Sequence, residues 1–253
     1  MKIALFHLEL SEGPQAANIE KIELAIKHAV RFGANWVLTP EMAVQGDSFT
    51  DRTSELTVPV QPEPALQGII QLAKLNKLTV FLCCAEQDKA SSNLYNSCLV
   101  IGIEGNLLGR QHKLHLHEEA EYWATKGNSR NPIPCQGLTA GILICTDSWY
   151  IRNARLLKEQ GAEILIVPAA WPPEICDPTD SWERCSKETG LVVCVCNQTG
   201  HAGQLNYENA ASVVIENGVT KLIYRGKREA VLLFEFDELR RKILSPHFTI
   251  LSV

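Results

Sequence analysis

The sequence predicts an α/β fold built as one domain over residues 1–253. Three observations point there. Short apolar runs alternate with helical patterns along the whole chain. No long linker, low-complexity tract or internal repeat interrupts them. Toward the C-terminus several strand-like runs follow one another without a helix. Intervening helices imply parallel neighbours and hairpins imply antiparallel ones, so the expectation is a mixed sheet, or two, covered by helices.

The elements follow in order. MKIALFHLEL is a first strand. ANIEKIELAIKHAVRFGA places Ile19, Ile22, Ala25, Ile26, Ala29 and Val30 on one helical face, with Gly33 as its stop. ANWVLTP is a buried strand, EPALQGIIQLAKLNK a second helix and LTVFLCCAE a third strand. SCLVIGIEGNLLGRQHKL is a hairpin turning at Glu104, Gly105 and Asn106. The alternation then resumes: strand TAGILICTD, helix IRNARLLKEQGAE, strand ILIVPAAW, helix DSWERCSKETG and strand LVVCVCN. ASVVIENGVTKLIYRGKREAVLLFEFD closes the pattern with several strands in succession.

Composition narrows the functional classes. A net charge of −5 argues against a duplex-binding surface and gives no polybasic patch for a membrane. No run offers about 18 uninterrupted apolar residues, and the start is too short and too acidic for a signal peptide, so a cytoplasmic location is expected. The nine cysteines are an odd number and contain no C-x-x-C pair. Reduced thiols are therefore expected. Cys194 and Cys196 share one face of an apolar, β-branched strand and read as packing residues, as do Cys83 and Cys84.

Three apolar runs end in ionisable residues, where α/β folds commonly carry their sites. Glu41 follows NWVLTP, Lys113 ends a hairpin strand, and Cys145 follows GILI. Taken singly, each has an ordinary reading: a solvated or capping carboxylate, a surface charge, a core thiol. His115 and His117 in QHKLHLHEE also suggest a metal pair, but no Cys/His partner cluster at zinc spacing accompanies them. Neither G-x-S-x-G, G-x-G-x-x-G nor a phosphate-binding loop occurs.

Together, the stretches LTPEMAVQG, Lys113-Leu114-His115-Leu116 and GILICTD, followed by NARLLKEQ and GAEILIVPAAWPP, resemble the nitrilase superfamily of carbon–nitrogen hydrolases, and its amidase-like branch in particular. The resemblance runs from the first strand to about residue 237. It implies a four-layer α-β-β-α sandwich, Cys145 as nucleophile, Glu41 as general base and acid, and Lys113 as oxyanion stabiliser with the backbone N–H of Thr146. It further implies an orienting second glutamate: Glu121 fits best, with Glu118 and Glu119 as competitors. The implied reaction cleaves a non-peptide C–N bond of a small amide or N-carbamoyl compound through an acyl-cysteine. No cofactor and no metal are required.

The family also implies a homodimer or larger assembly, packed through the helix at about 153–160, with the tail 240–253 as a further contact. Thr146-Asp147 stands where nitrilases usually have Trp-Glu, which favours amides over nitriles. Acyl transfer to an amine, or a decayed small-molecule-binding site, would keep much of the same pattern. Trp149, Tyr150 and Trp171 either line an apolar substrate pocket or pack in the core or at a subunit interface. Specificity is expected to depend on loops near 46–60, 118–132 and 171–180.

Overall fold

The structure is a computed structural model, and it describes residues 1–10, 14–47, 57–117, 120–174 and 177–253. Two sheets carry the fold. The first contains β1 (Lys2–His7), β2 (Trp36–Leu38), β3 (Thr79–Gln87), β4 (Leu94–Ile101), β5 (Leu107–His112) and β14 (Ala230–Asp237). Its strand order is β14-β1-β2-β3-β4-β5, and β15 (Lys242–Ile243) and β16 (Thr249–Ser252) both pair with β14. The second sheet runs β13 (Val219–Arg225), β12 (Ala211–Glu216), β9 (Val192–Asn197), β8 (Ile164–Ala169), β7 (Thr139–Ile142) and β6 (Ile133–Pro134). A small ribbon pairs β10 (His201–Ala202) with β11 (Leu205–Asn206).

The mixed pattern follows from the connections. Helix α1 (Gln15–Arg31) lies between β1 and β2, and α2 (Gln67–Asn76) precedes β3; both strand pairs are parallel. The β3–β4–β5 meander is antiparallel, because short turns return the chain directly. In the second sheet α3 (Ile151–Glu159) and α4 (Thr179–Thr189) are the crossovers of the parallel β7–β8–β9 run.

Helices α1 and α2 pack against each other, with α1 on β1 and β14. On the other side, α3 and α4 pair, with α3 on β7 and α4 on β9 and β12. Strands β1 and β9 meet across the sheets. These are the four layers.

The predicted face of α1 is the buried one: Ile19, Ile22, Ala25, Ile26 and Ala29 all lie inside. Beyond its end Gly33 takes φ +81°, a left-handed conformation open to glycine without steric cost. One apolar core joins both sheets, from Ile3, Leu5 and Trp36 to Val167, Val193 and Val214. Polar contacts also cross between the sheets. The Cys196 thiol reaches the carbonyls of Phe6 and Leu38, and His7 Nδ1 lies 3.0 Å from Ser212 Oγ. The tail returns to the first sheet through β15 and β16.

Three predicted strands are shorter than their apolar runs. ANWVLTP contributes only Trp36–Leu38, and TAGILICTD only Thr139–Ile142. The residues beyond each strand leave the ladder to form the turns that carry Glu41 and Cys145. ILIVPAAW likewise ends at Ala169, before Ala170 and Trp171. EPALQGIIQLAKLNK opens with a 3-10 turn over Pro64–Leu66 before α2 begins.

Candidate active site

Glu41, Lys113, Glu121 and Cys145 come together from four separate segments. None of them lies within a strand or an α-helix. Glu41 opens a tight turn in which Gly46 N–H donates to Met42 O at 2.7 Å. Lys113 follows β5 directly, and its N–H still donates to Asn96 O on β4 at 2.8 Å. Glu121 sits in a turn whose backbone N–H donates to His117 O at 2.8 Å. Cys145 starts a 3-10 segment (Cys145–Trp149) three residues beyond β7, with φ +47°. A left-handed φ is uncommon for a residue with a side chain and stores strain of about 1 kcal/mol or more.

All four side chains are buried: Glu41 and Lys113 are 3% exposed, Cys145 5% and Glu121 9%. Lys113 Nζ donates to Glu41 Oε1 at 2.7 Å and to Glu121 Oε2 at 2.6 Å. Burial alone would drive an ammonium toward its neutral form. Here Glu41 and Glu121 overcome it and hold Lys113 well above the usual lysine range.

The carboxylate of Glu41 is therefore held in an ion pair with Lys113. Only Oε1 is engaged by the lysine. Oε2 accepts the N–H of Ala170 at 3.2 Å, and the carboxylate lies against the Cys145 thiol. Burial raises the Cys145 pKa well above the usual thiol range and Glu41 adds to it; Lys113 and the Ala170 N–H oppose both. The resting sulfur is therefore a protonated thiol beside a carboxylate.

Two residues that the sequence did not single out support this cluster. Asn96, on β4, donates through Nδ2 to Glu41 Oε1 at 2.8 Å and to Glu121 Oε1 at 2.7 Å. The amide thus bridges the carboxylates that clasp Lys113. Asp147, fully buried, ties the lysine segment to the cysteine segment. Its Oδ1 accepts the N–H groups of Leu114 (2.9 Å) and His115 (2.8 Å), and Oδ2 accepts that of Ile144 (3.2 Å). Asp147 was visible as the last letter of GILICTD; nothing in the sequence pairs it with Leu114. Asn96 carried no signal, because its role depends on the β4 register.

The remaining predicted residues divide. Thr146 donates through Oγ1 to His115 O at 2.6 Å, which fixes the turn after Cys145. Trp171 is buried, stacked on Trp149 at 5.8 Å between centroids and edge-on to Trp182 at 6.1 Å. Trp149 and Tyr150 are 44% and 49% exposed. Tyr150 stacks on His115 at 3.8 Å, and His115 Nδ1 lies 3.2 Å from Asp147 Oδ1. His115 is thus committed to a structural contact, and no group of three metal-ligating side chains gathers among the described residues. Glu118 and Glu119 lie outside the described residues, as does Cys176.

Residues 2–237 match the family model described as carbon–nitrogen hydrolase. The chain is 27% identical over 202 residues to citrullinase from Francisella tularensis, covering 73% of this chain and 68% of that protein. It is 29% identical over 247 residues to N-carbamoylputrescine amidase from Oryza sativa, covering 88% and 81%. Its fold matches a carbon–nitrogen hydrolase from Helicobacter pylori with a TM-score of 0.82 at 20% identity, covering 95% and 90%. No helix among the described residues is long and apolar enough to cross a membrane. The chain belongs to the carbon–nitrogen hydrolase family, whose members cleave carbon–nitrogen bonds other than peptide bonds.

Proposed function

We propose that this protein is a thiol hydrolase of a small amide or N-carbamoyl compound, with Cys145 as nucleophile. One observation carries the reading: a charged lysine clasped by two carboxylates, Glu41 and Glu121, one of which touches a buried thiol.

The chemistry follows from the charges. A thiol held protonated by burial cannot attack until it loses its proton, and Glu41 is the acceptor in contact with it. As the Cys145 sulfur bonds to the carbonyl carbon, that proton passes to Glu41. The carbonyl oxygen becomes an oxyanion, stabilised by Lys113 Nζ and the backbone N–H of Thr146. Such a donor is worth about 3–4 kcal/mol in the transition state. When the C–N bond breaks, Glu41 returns the proton to the leaving ammonia or amine. Water, deprotonated by Glu41, then releases the acid and restores the thiol. Glu121 orients Lys113, and Trp149, Tyr150 and Trp171 border the substrate's approach. The scheme calls on no cofactor.

We place the protein in the cytoplasm as a homodimer or larger homo-oligomer. Buried, reduced cysteines support the compartment. The assembly would form through α3, and light scattering on purified protein tests it.

The function is tested by incubating wild type with an amide and urea library and following ammonia release and the intact mass. Turnover, with an acyl adduct on Cys145 and none in Cys145→Ala, is expected; turnover persisting in Cys145→Ala would overturn the reading. Added hydroxylamine or alkylamine separates hydrolysis from acyl transfer.

A further inference from the structure

Strand β8 ends where the site begins. Its parallel pairing with β9 stops at Ala169 opposite Asn197, and residues 170 and 171 lie beyond the strand. One of them faces the chemistry. The Ala170 N–H donates to Glu41 Oε2 at 3.2 Å and also acts on the Cys145 thiol. A peptide past a strand end has no ladder to aim it. Its direction depends on what holds its neighbours.

Asn197 supplies that hold. The residue is 1% exposed. Its Oδ1 accepts the Trp171 N–H at 2.9 Å, and its Nδ2 donates to Trp171 O at 3.1 Å. A side-chain amide thus pairs with Trp171 as the backbone of a neighbouring strand would. Oδ1 also accepts the Gln198 N–H at 3.1 Å. The backbone of Asn197 is fixed from the other side. Pairing of β9 with β12 reaches Val195 opposite Val213. Beyond it the Ser212 hydroxyl takes over, accepting the Asn197 N–H at 3.0 Å and lying 3.2 Å from Asn197 O. Rotating the Asn197 amide would break its bonds to Trp171 and Gln198 in a buried place, where unmade hydrogen bonds are costly.

The aim of the Ala170 N–H matters because of where charge moves. Glu41 Oε1 already accepts Lys113 Nζ and Asn96 Nδ2. The thiol proton therefore passes to Oε2: the S–H bond breaks, an O–H bond forms, and the electron pair stays on sulfur. Negative charge leaves the oxygen that the Ala170 N–H holds and arrives on the sulfur that the same N–H acts on. A fixed donor serving both ends favours the thiolate without reorganisation.

We propose that Asn197 is a positioning residue of this reaction: by clamping the Trp171 backbone it keeps the Ala170 N–H aimed at both the general base and the nucleophile. The inference rests on the hydrolase reading above and adds to it a residue that acts through Ala170.

The test needs no knowledge of the substrate. Folded protein is alkylated with iodoacetamide across a pH series, and the rate at each cysteine is read by peptide mass spectrometry. In wild type Cys145 should react faster than Cys194. Asn197→Ala should slow Cys145 by about 10-fold at neutral pH and move its rate profile to higher pH, because the thiolate loses a donor. Asn197→Asp keeps an acceptor for the Trp171 N–H and should recover part of the rate. Cys194→Ala should leave the Cys145 profile in place, which separates loss of aim from general loosening. With an amide that wild type turns over, Asn197→Ala should lower kcat by about 10-fold and hold KM within about 3-fold. An unshifted Cys145 profile in Asn197→Ala, or an equal shift in Cys194→Ala, would overturn the inference and leave the hydrolase reading intact. A wild-type Cys145 no faster than Cys194 would overturn both. Should Asn197→Ala fail to fold, Asn197→Ser is read by the same profile, and an unshifted curve there overturns the inference.

Discussion

Cys145 and Cys194 are both buried thiols whose pKa values burial pushes upward, yet their surroundings differ in kind. Cys194 lies inside β9, and burial is the whole cause of its shift. Cys145 has the same desolvation, but a carboxylate, an ammonium and a backbone N–H also act on it. The first environment offers the proton nowhere to go. The second places an acceptor against it. Burial alone therefore does not separate a packing cysteine from a nucleophile; the polar groups that share the burial do.

The largest test of this contrast removes the ammonium. Lys113→Met leaves Glu41 and Glu121 buried and uncompensated, which typically costs about 3–5 kcal/mol. Turnover should disappear, and urea unfolding should show the loss of stability. A variant as stable as wild type would show that the lysine does not compensate them.

A smaller effect is expected at Asp147. Asp147→Ala leaves the N–H groups of Leu114, His115 and Ile144 without their acceptor, and about 2–3 kcal/mol of stability should be lost. Urea unfolding measures it. Turnover should fall as well, since the cysteine and lysine segments lose their tie; unchanged kcat would limit Asp147 to folding.

In the packing region, Cys194→Ala should cost about 1 kcal/mol and leave kcat unaltered, as read by urea unfolding beside a rate assay. Haloacetamide should label Cys145 faster than Cys194. The smallest effect concerns His7. Burial lowers its pKa, opposed by the Gly226 carbonyl. The folded state then binds fewer protons than the unfolded chain below the ordinary histidine pKa. Stability contributed by neutral His7 is present above that value and declines as pH falls. Melting curves of His7→Gln should depend less steeply on pH across that window.

The fold was largely legible because hydrophobic period survives in single residues: the Ile19–Ile22–Ile26 face of α1 is buried as its spacing requires. Strand ends were not. The apolar run GILIC continues through Cys145, although pairing to β8 stops earlier and the chain turns at a left-handed residue. Glu41, Lys113 and Cys145 were found through their local motifs. Asn96 and Asp147 act across 25 to 55 positions of sequence. Such partners are set by sheet register and loop packing, which no local pattern encodes. Trp149 and Tyr150 look alike in sequence to the buried Trp171, and only tertiary packing separates them.

The contacts of Asp147 bear on how such an enzyme could be re-engineered. Because one carboxylate anchors both the lysine-bearing and the cysteine-bearing segments, these behave as a single exchangeable cassette. A chimera that imports the cysteine turn from a relative without the Leu114–His115 stretch would separate an acceptor from its donors. Grafts that move both together should keep the register of the reacting groups.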